Sequence, residues 1–322
     1  MKYTKTLLVY LVVSFSLMAW TMNNWLMIWY LMEVCFVLFL GLCTSSKSYS
    51  VSEMMMMYYL VQVSISLFMV VFILFYMFNL GYLHSFILIL GLMVKMGMFP
   101  FHFWLILVCG KLDWMSFFIL STLMKLIPLI LVYYLFSISS FFFVTLKSTI
   151  FGSFMGVNNN VIQKMMGYSS MINVCWFIYS MSVSLVMFFL YFVSYSVMFW
   201  WLINLLSDHN IFYINQFKMN SVSFNKKIMI FIYGLSISGF PPFLGFMIKW
   251  LVINYLWYLG LKFMLSLMIL ISVLAVYFYL QMFFFVMLLF SGWMKWYIYS
   301  FYNFGVLSFF FSISYIILFI FY

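Results

Sequence analysis

The chain has 322 residues, of which 69% are hydrophobic and 6% charged, and its mean hydropathy is +1.22. Soluble domains carry about 25% charged residues, so a water-soluble core is excluded and the chain reads as an integral membrane protein. The net charge of +10 does not mark a nucleic-acid binder. The basic residues arrive singly apart from Lys226-Lys227, and no arginine is present to read phosphates or bases.

Lys2 and Lys5 precede an apolar run that no small-x-small cleavage site closes, so a first transmembrane helix is expected rather than a secretory signal. A span needs about 20 apolar residues. Turns at Asn, Gly, Ser and Lys clusters then divide the chain into eleven predicted helices, near 6–22, 25–43, 55–78, 83–107, 114–136, 138–158, 167–183, 185–206, 228–250, 263–290 and 303–321. The expected fold class is all-α, a polytopic membrane protein forming one transmembrane domain over 1–322. With the N-terminus inside, Lys2, Lys5, Lys47, Lys111, Lys164, Lys218, Lys226, Lys227 and Lys295 fall on inside segments and only Lys262 outside. That bias follows the positive-inside rule and supports eleven spans, with the C-terminus on the opposite face.

Four charges interrupt the predicted spans: Glu33, Lys95, Lys125 and Lys249. Each opposes insertion by roughly 2.5–3.5 kcal/mol. Leu would have packed without that cost, so these positions are the candidates for function. Two of the helices are expected to break. KMGMFPFHFW (95–104) sets Gly97 and Pro100 just after Lys95, and SGFPPFLGFMIKW (238–250) sets Gly239, Pro241, Pro242 and Gly245 just before Lys249. Proline cannot donate to the carbonyl four residues earlier, and freed carbonyls are tolerated in lipid only beside protein or a wet cavity. The two broken helices are five spans apart and so run in opposite directions, the arrangement of an inverted repeat around a midplane site.

Each charge has a plainer reading. Glu33 alone would be a neutral carboxyl bonded locally; with a lysine to meet, it forms an ion pair. The plainer reading of Lys95 and Lys249 is snorkelling to an interface, which is harder for the central Lys95 than for Lys249. Pro128 frees the carbonyl of Met124 beside Lys125, a partner for an ammonium or a water. His102 and His84 are weaker candidates, either structural hydrogen bonders or holders of water on a proton path. Lys147 lies mid-span with no break or partner, and reads as a boundary shift or a snorkelling side chain. Cys35, Cys43, Cys109 and Cys175 form no CxxC pair and have no histidine at ligand spacing, so no metal site is expected, and no nucleotide-binding string is present.

Those two strings and GVNNNVIQKMMGYSS (156–170), taken in order, resemble the antiporter-like subunits of respiratory complex I. The resemblance implies that Glu33 is the acidic partner, Lys95 the lysine of the first broken helix, Lys125 the connecting lysine and Lys249 the lysine of the second. Three departures stand out: Leu105-Ile106-Leu107 where the family continues with x-Pro-Glu, Met124 for a glutamine, and Gln163 for an arginine. The first falls at the end of the fourth helix. The implied activity is proton translocation driven by quinone reduction elsewhere. NADH, FMN, iron–sulfur clusters and ubiquinone are then expected in other subunits, with no cofactor in this chain. Implied partners are other membrane-arm subunits, including the antiporter-like chain 4 and the small chain 4L, and lipids such as cardiolipin. The implied location is the mitochondrial inner membrane, N-terminus in the matrix and C-terminus in the intermembrane space. The scarcity of Ala, with two, beside 31 Met, 44 Phe and 25 Tyr fits an AT-rich organelle gene. Two alternatives use the same residues: a stand-alone cation/proton antiporter, and a structural spacer that keeps its charges without pumping.

Overall fold

The computed structural model describes residues 2–44, 49–77, 83–135, 140–218, 224–241, 243–258, 260 and 262–290. These residues are helical almost throughout, and the only β pairing among them is an isolated bridge between Val161 and Tyr213. They divide between two compact units, Met1–Ser148 and Thr149–Tyr322.

The first unit holds α1 (Lys2–Thr21), α2 (Trp25–Cys43), α3 (Tyr49–Met77), α4 (Leu83–Met96), α5 (Phe103–Cys109), α6 (Trp114–Ser121) and α7 (Leu123–Tyr134). Helix α7 packs against α1, α2, α4 and α6. Everything from Lys125 to Val132 is buried, which is how a lysine comes to sit in the middle of the unit. Helix α3 offers one buried stripe, Met54, Tyr58, Gln62, Ser66, Met69 and Ile73, at the three- and four-residue spacing of a helix face. Two ion pairs bind one end of the unit. Lys111 Nζ lies 3.0 Å from Glu53 Oε2, and Lys5 Nζ lies 4.0 Å from Asp113 Oδ2. The start of α1, the start of α3 and the α5–α6 turn therefore share that end, where lysines expected on one side of the membrane lie together.

After α8 (Ser140–Val157), the second unit holds α9 (Ile162–Val183), α10 (Leu185–Asp208), a short 3-10 turn (Ile214–Lys218), α11 (Phe224–Ser238), α12 (Leu244–Tyr258) and α13 (Lys262–Phe290). Helix α9 is polar yet buried along nearly its whole length. It tolerates this because its side chains bond carbonyls of its own preceding turn: Ser169 to Met166, Ser170 to Gly167, Ser180 to Phe177 and Asn173 to Ser169.

Six helical stretches among the described residues are long and apolar enough to cross a bilayer: α1, α2, α3, the α6–α7 stretch Trp114–Tyr134, α10 and α13. The predicted segments 83–107 and 228–250 are instead divided between α4 and α5 and between α11 and α12, as their prolines and glycines require. Segment 114–136 also divides, which the sequence reading did not expect. The interruption is at Thr122 rather than Pro128, and the Thr122 hydroxyl takes the Phe118 carbonyl at 2.7 Å. This restart sets Pro128 in the second turn of α7, near the end where a missing N–H disrupts few bonds. The segment expected at 167–183 begins earlier, at Ile162, and that expected to end at 250 continues to Tyr258. The last predicted segment, 303–321, lies outside the described residues.

Helices α4 and α11 end in the same way. Gly97 and Gly239 adopt positive φ, +69° and +84°. The amides of Met98 and Phe240 reach back to Met93 and Leu235, while those of Gly97 and Gly239 bond Val94 and Ser236. These are Schellman terminations, which glycine enters without a Cβ penalty. Close packing then fixes Gly245, where an added Cβ would strike the Ser236 carbonyl. Gly245→Ala should destabilise the protein by about 1–3 kcal/mol through overpacking. Gly41→Ala, whose Cβ would meet only Leu8 Cδ1 at 3.7 Å, should be near neutral. Thermal unfolding of the purified assemblies compares the two.

Candidate proton-transfer site

Lys95 is the next-to-last residue of α4, so its side chain leaves the helix where the backbone opens. Its Nζ donates to Glu33 Oε1 of α2 at 2.9 Å. The Lys95 side chain is 3% exposed and that of Glu33 19%. The ammonium also lies 5.8 Å from the centroid of the Phe36 ring, one helical turn from Glu33. The sequence reading expects this pairing, and the fold supplies the contact across 62 positions of chain.

The break itself is covered. Val94 O, near the open end of α4, accepts the Trp104 Nε1–H from α5 at 3.0 Å. Trp104 packs in turn against Tyr58 with their rings tilted, and Tyr58 packs against Phe36 and Phe39. Phe36, Tyr58 and Trp104 thus form an aromatic cluster beside the ion pair, and the indole meets part of the hydrogen-bonding demand of the opened helix.

Beside this cluster is a small cavity with about 20 Å³ of room for water centres, lined by residues that include Lys95, Lys125, Gln62, Tyr58, Trp104 and Pro128. A single water needs about 10–15 Å³ by this measure. Lys95 from α4 and Lys125 from α7 therefore border one compartment, so three of the four predicted charges gather in the first unit. Met124 lines the same cavity.

His102 is 1% exposed, bonds Pro100 O through Nδ1 at 3.2 Å, and lies against Phe99 and Phe103. It is not among the residues lining the cavity. His84 lies in the first turn of α4. Lys147 is exposed on α8, and Lys164 is half-buried in the first turn of α9.

Lys249 belongs to the second unit. It is 4% exposed on α12, and its Nζ donates to Ser238 O at 2.8 Å. Ser238 stands four residues before Pro242, so the ammonium occupies a carbonyl that the proline cannot serve. The Lys249 Nζ lies 5.6 Å from the centroid of the Trp176 ring of α9. Gly239 leaves the room for this reach, since a Cβ there would approach Lys249 Cδ to 2.9 Å.

Gln62, Trp104 and Thr122 were not singled out from sequence. Gln62 carried a signal, being the polar member of the α3 stripe between Tyr58 and Ser66. The indole bond of Trp104 and the break at Thr122 had none, because both depend on how separate helices meet.

A family model described as the transmembrane region of NADH:quinone oxidoreductase and Mrp antiporters matches residues 80–278, which include both broken helices. The chain belongs to this family. NADH-ubiquinone oxidoreductase chain 2 of Anopheles gambiae is 32% identical over 275 residues, 83% of this chain and 81% of that protein. Among solved structures, respiratory complex I from Thermus thermophilus with bound aureothin matches with a TM-score of 0.79 at 17% identity, covering 88% of this chain and 70% of the other. The Mrp complex from Dietzia sp. DQ12-45-1b matches with a TM-score of 0.73 at 14% identity, over 86% and 59%. At these identities the structures establish the fold, and the Anopheles relative places the chain with the complex I branch of the family.

The pair makes a quantitative expectation. Removing one partner of a buried pair costs about 3–5 kcal/mol, because the other charge is left without compensation. Glu33→Gln and Lys95→Met should each lower the melting temperature of the purified assembly, and the double variant should lose less than the sum. A double-mutant cycle by thermal unfolding reads that coupling.

Proposed function

We propose that the chain is a core membrane-arm subunit of a proton-translocating NADH:ubiquinone oxidoreductase, and that Glu33, Lys95, Lys125 and Lys249 carry the proton. The observation that carries this reading is the 2.9 Å Lys95–Glu33 pair at an opened helix end, on a compartment shared with Lys125. While the pair is closed, the carboxylate holds the ammonium and its proton. When a conformational or electrostatic change separates them, the desolvated ammonium releases the proton toward Lys125 through the compartment. Lys249 controls exit or communicates with the neighbouring subunit. His102 fixes the backbone of the first break.

Moving one charge against about 180 mV requires on the order of 4 kcal/mol. That is within reach of opening and closing one buried ion pair. The driving energy arrives from other subunits, in which NADH, FMN, iron–sulfur clusters and ubiquinone are handled, and this chain holds no redox group. The whole chain works as one transmembrane domain of eleven spans, with its two broken helices related by an inverted repeat. The shared Schellman endings of α4 and α11 support that relation. It lies in the mitochondrial inner membrane with its N-terminus in the matrix and its C-terminus in the intermembrane space. Its partners are the other membrane-arm subunits, including chains 4 and 4L, with cardiolipin at the lipid boundary.

A stand-alone antiporter is the less favoured reading, since the Anopheles relative is a chain of an oxidoreductase. Reconstituted alone, this chain should leave an imposed proton gradient unchanged. In the assembled complex, Lys95→Met should lower the proton-to-electron stoichiometry. Unchanged stoichiometry and turnover, with assembly verified, would exclude Lys95 from pumping, and normal pumping after joint replacement of Lys95 and Lys125 would make the subunit a spacer.

A further inference from the structure

Gln62 sits on α3 with 3% of its surface exposed, on a buried stripe that also holds Met54, Tyr58, Ser66, Met69 and Ile73. Its neighbour on the stripe, Ser66, gives its hydroxyl to Val63 O at 2.8 Å. The Gln62 amide nitrogen does not settle in that way. It is buried and has no hydrogen-bond partner among the described residues. An unmet buried amide donor is costly, and a leucine or methionine on this stripe would avoid that cost. The side chain instead lines the cavity bordered by Lys95 and Lys125.

We infer that Gln62 is a positioning residue for proton transfer, its amide seating the water that passes a proton between Lys95 and Lys125. This rests on the proton-translocating reading given above. A carboxamide is suited to the task because it has donors and an acceptor but does not titrate near neutral pH. It therefore orients a water without keeping the proton, as a carboxylate or imidazole would. The cavity's room, about 20 Å³, is that of roughly one water. The step balances with that water as the only co-reactant. The Lys95 ammonium gives a proton to the water and becomes an amine, the water gives one of its protons to the Lys125 amine, and Gln62 keeps both of its amide hydrogens.

The test uses the assembled complex in sealed membranes, following turnover, proton-to-electron stoichiometry, pH profile and the H2O/D2O rate ratio. Gln62→Met keeps volume and packing but removes the amide, while Gln62→Glu keeps a polar group of the same shape and adds a titrating one. Losing one well-placed hydrogen bond, about 1 kcal/mol, corresponds to about fivefold in rate. Gln62→Met should therefore slow coupled turnover about fivefold and raise the H2O/D2O ratio, and Gln62→Glu should regain rate with an added limb in its pH profile. Should Gln62→Met not assemble, the Gln62→Glu profile decides alone. Wild-type behaviour in both variants overturns the inference, and so does an equal slowing in both with unchanged pH profile and isotope ratio, which marks a packing role. Lys95→Met, measured alongside, separates the levels: if it pumps normally, Lys95 is excluded from pumping and the step through Gln62 falls with it, and if only the Gln62 variants behave as wild type, the proton-translocation reading stands without Gln62.

Discussion

The fold of the first unit is arranged around one ion pair held out of water. At 2.9 Å and an effective dielectric of about 20, two unit charges attract by about 6 kcal/mol. Removing each ion from water costs several kcal/mol. The two effects nearly cancel, so the Glu33–Lys95 pair is close to balanced rather than strongly stabilising. A near-balanced pair is what a proton carrier needs. In the proposed mechanism, a slight loss of contact leaves the Lys95 ammonium without its carboxylate, and the proton passes to the next base within reach. A surface pair would lack the desolvation that the proposed mechanism needs, and a more deeply compensated pair would resist opening.

Helix interruption is the second constraint, and it follows from the first. An intact helix uses its carbonyls internally and offers none to an ammonium or a water. All four prolines of the chain lie beside Lys95, Lys125 or Lys249. The freed groups are then taken up in different ways. At the end of α4, Val94 O, already bonded by the Gly97 amide, also accepts the Trp104 indole N–H from α5, which ties the two sides of the break together. Ser238 O is taken by Lys249 itself, which makes the second break part of that lysine's own setting. One lysine is held by a carboxylate on a neighbouring helix and the other by a carbonyl of its own broken helix, so different movements would free each of them.

Much of this could be read from the sequence, and the reasons are specific. A charge among apolar residues has few uses in a bilayer, so Glu33, Lys95, Lys125 and Lys249 announced themselves one by one. Glycine before proline announced the ends of α4 and α11. The partnership of Glu33 with Lys95 was an expectation of charge balance, to which the fold added the distance. What could not be read were the features set by meetings between helices. Thr122 breaks its helix upstream of the proline that the sequence marks, and Trp104 reaches a carbonyl ten residues away. Gln62 was passed over because one polar residue in a long apolar helix has an ordinary explanation, and only its place on a buried stripe beside two lysines removes it. His102, prominent in the sequence, is bonded locally to Pro100.

The charge state of Glu33 in the resting assembly tests the central claim most directly. Infrared difference spectra of the complex, with Glu33→Gln as the reference that assigns the band, separate an ionised carboxylate from a neutral carboxyl. The account predicts a carboxylate signal at rest that diminishes during turnover. A Glu33 that remains a protonated carboxyl throughout would mean that no ion pair holds Lys95, and the mechanism built on that pair would be contradicted.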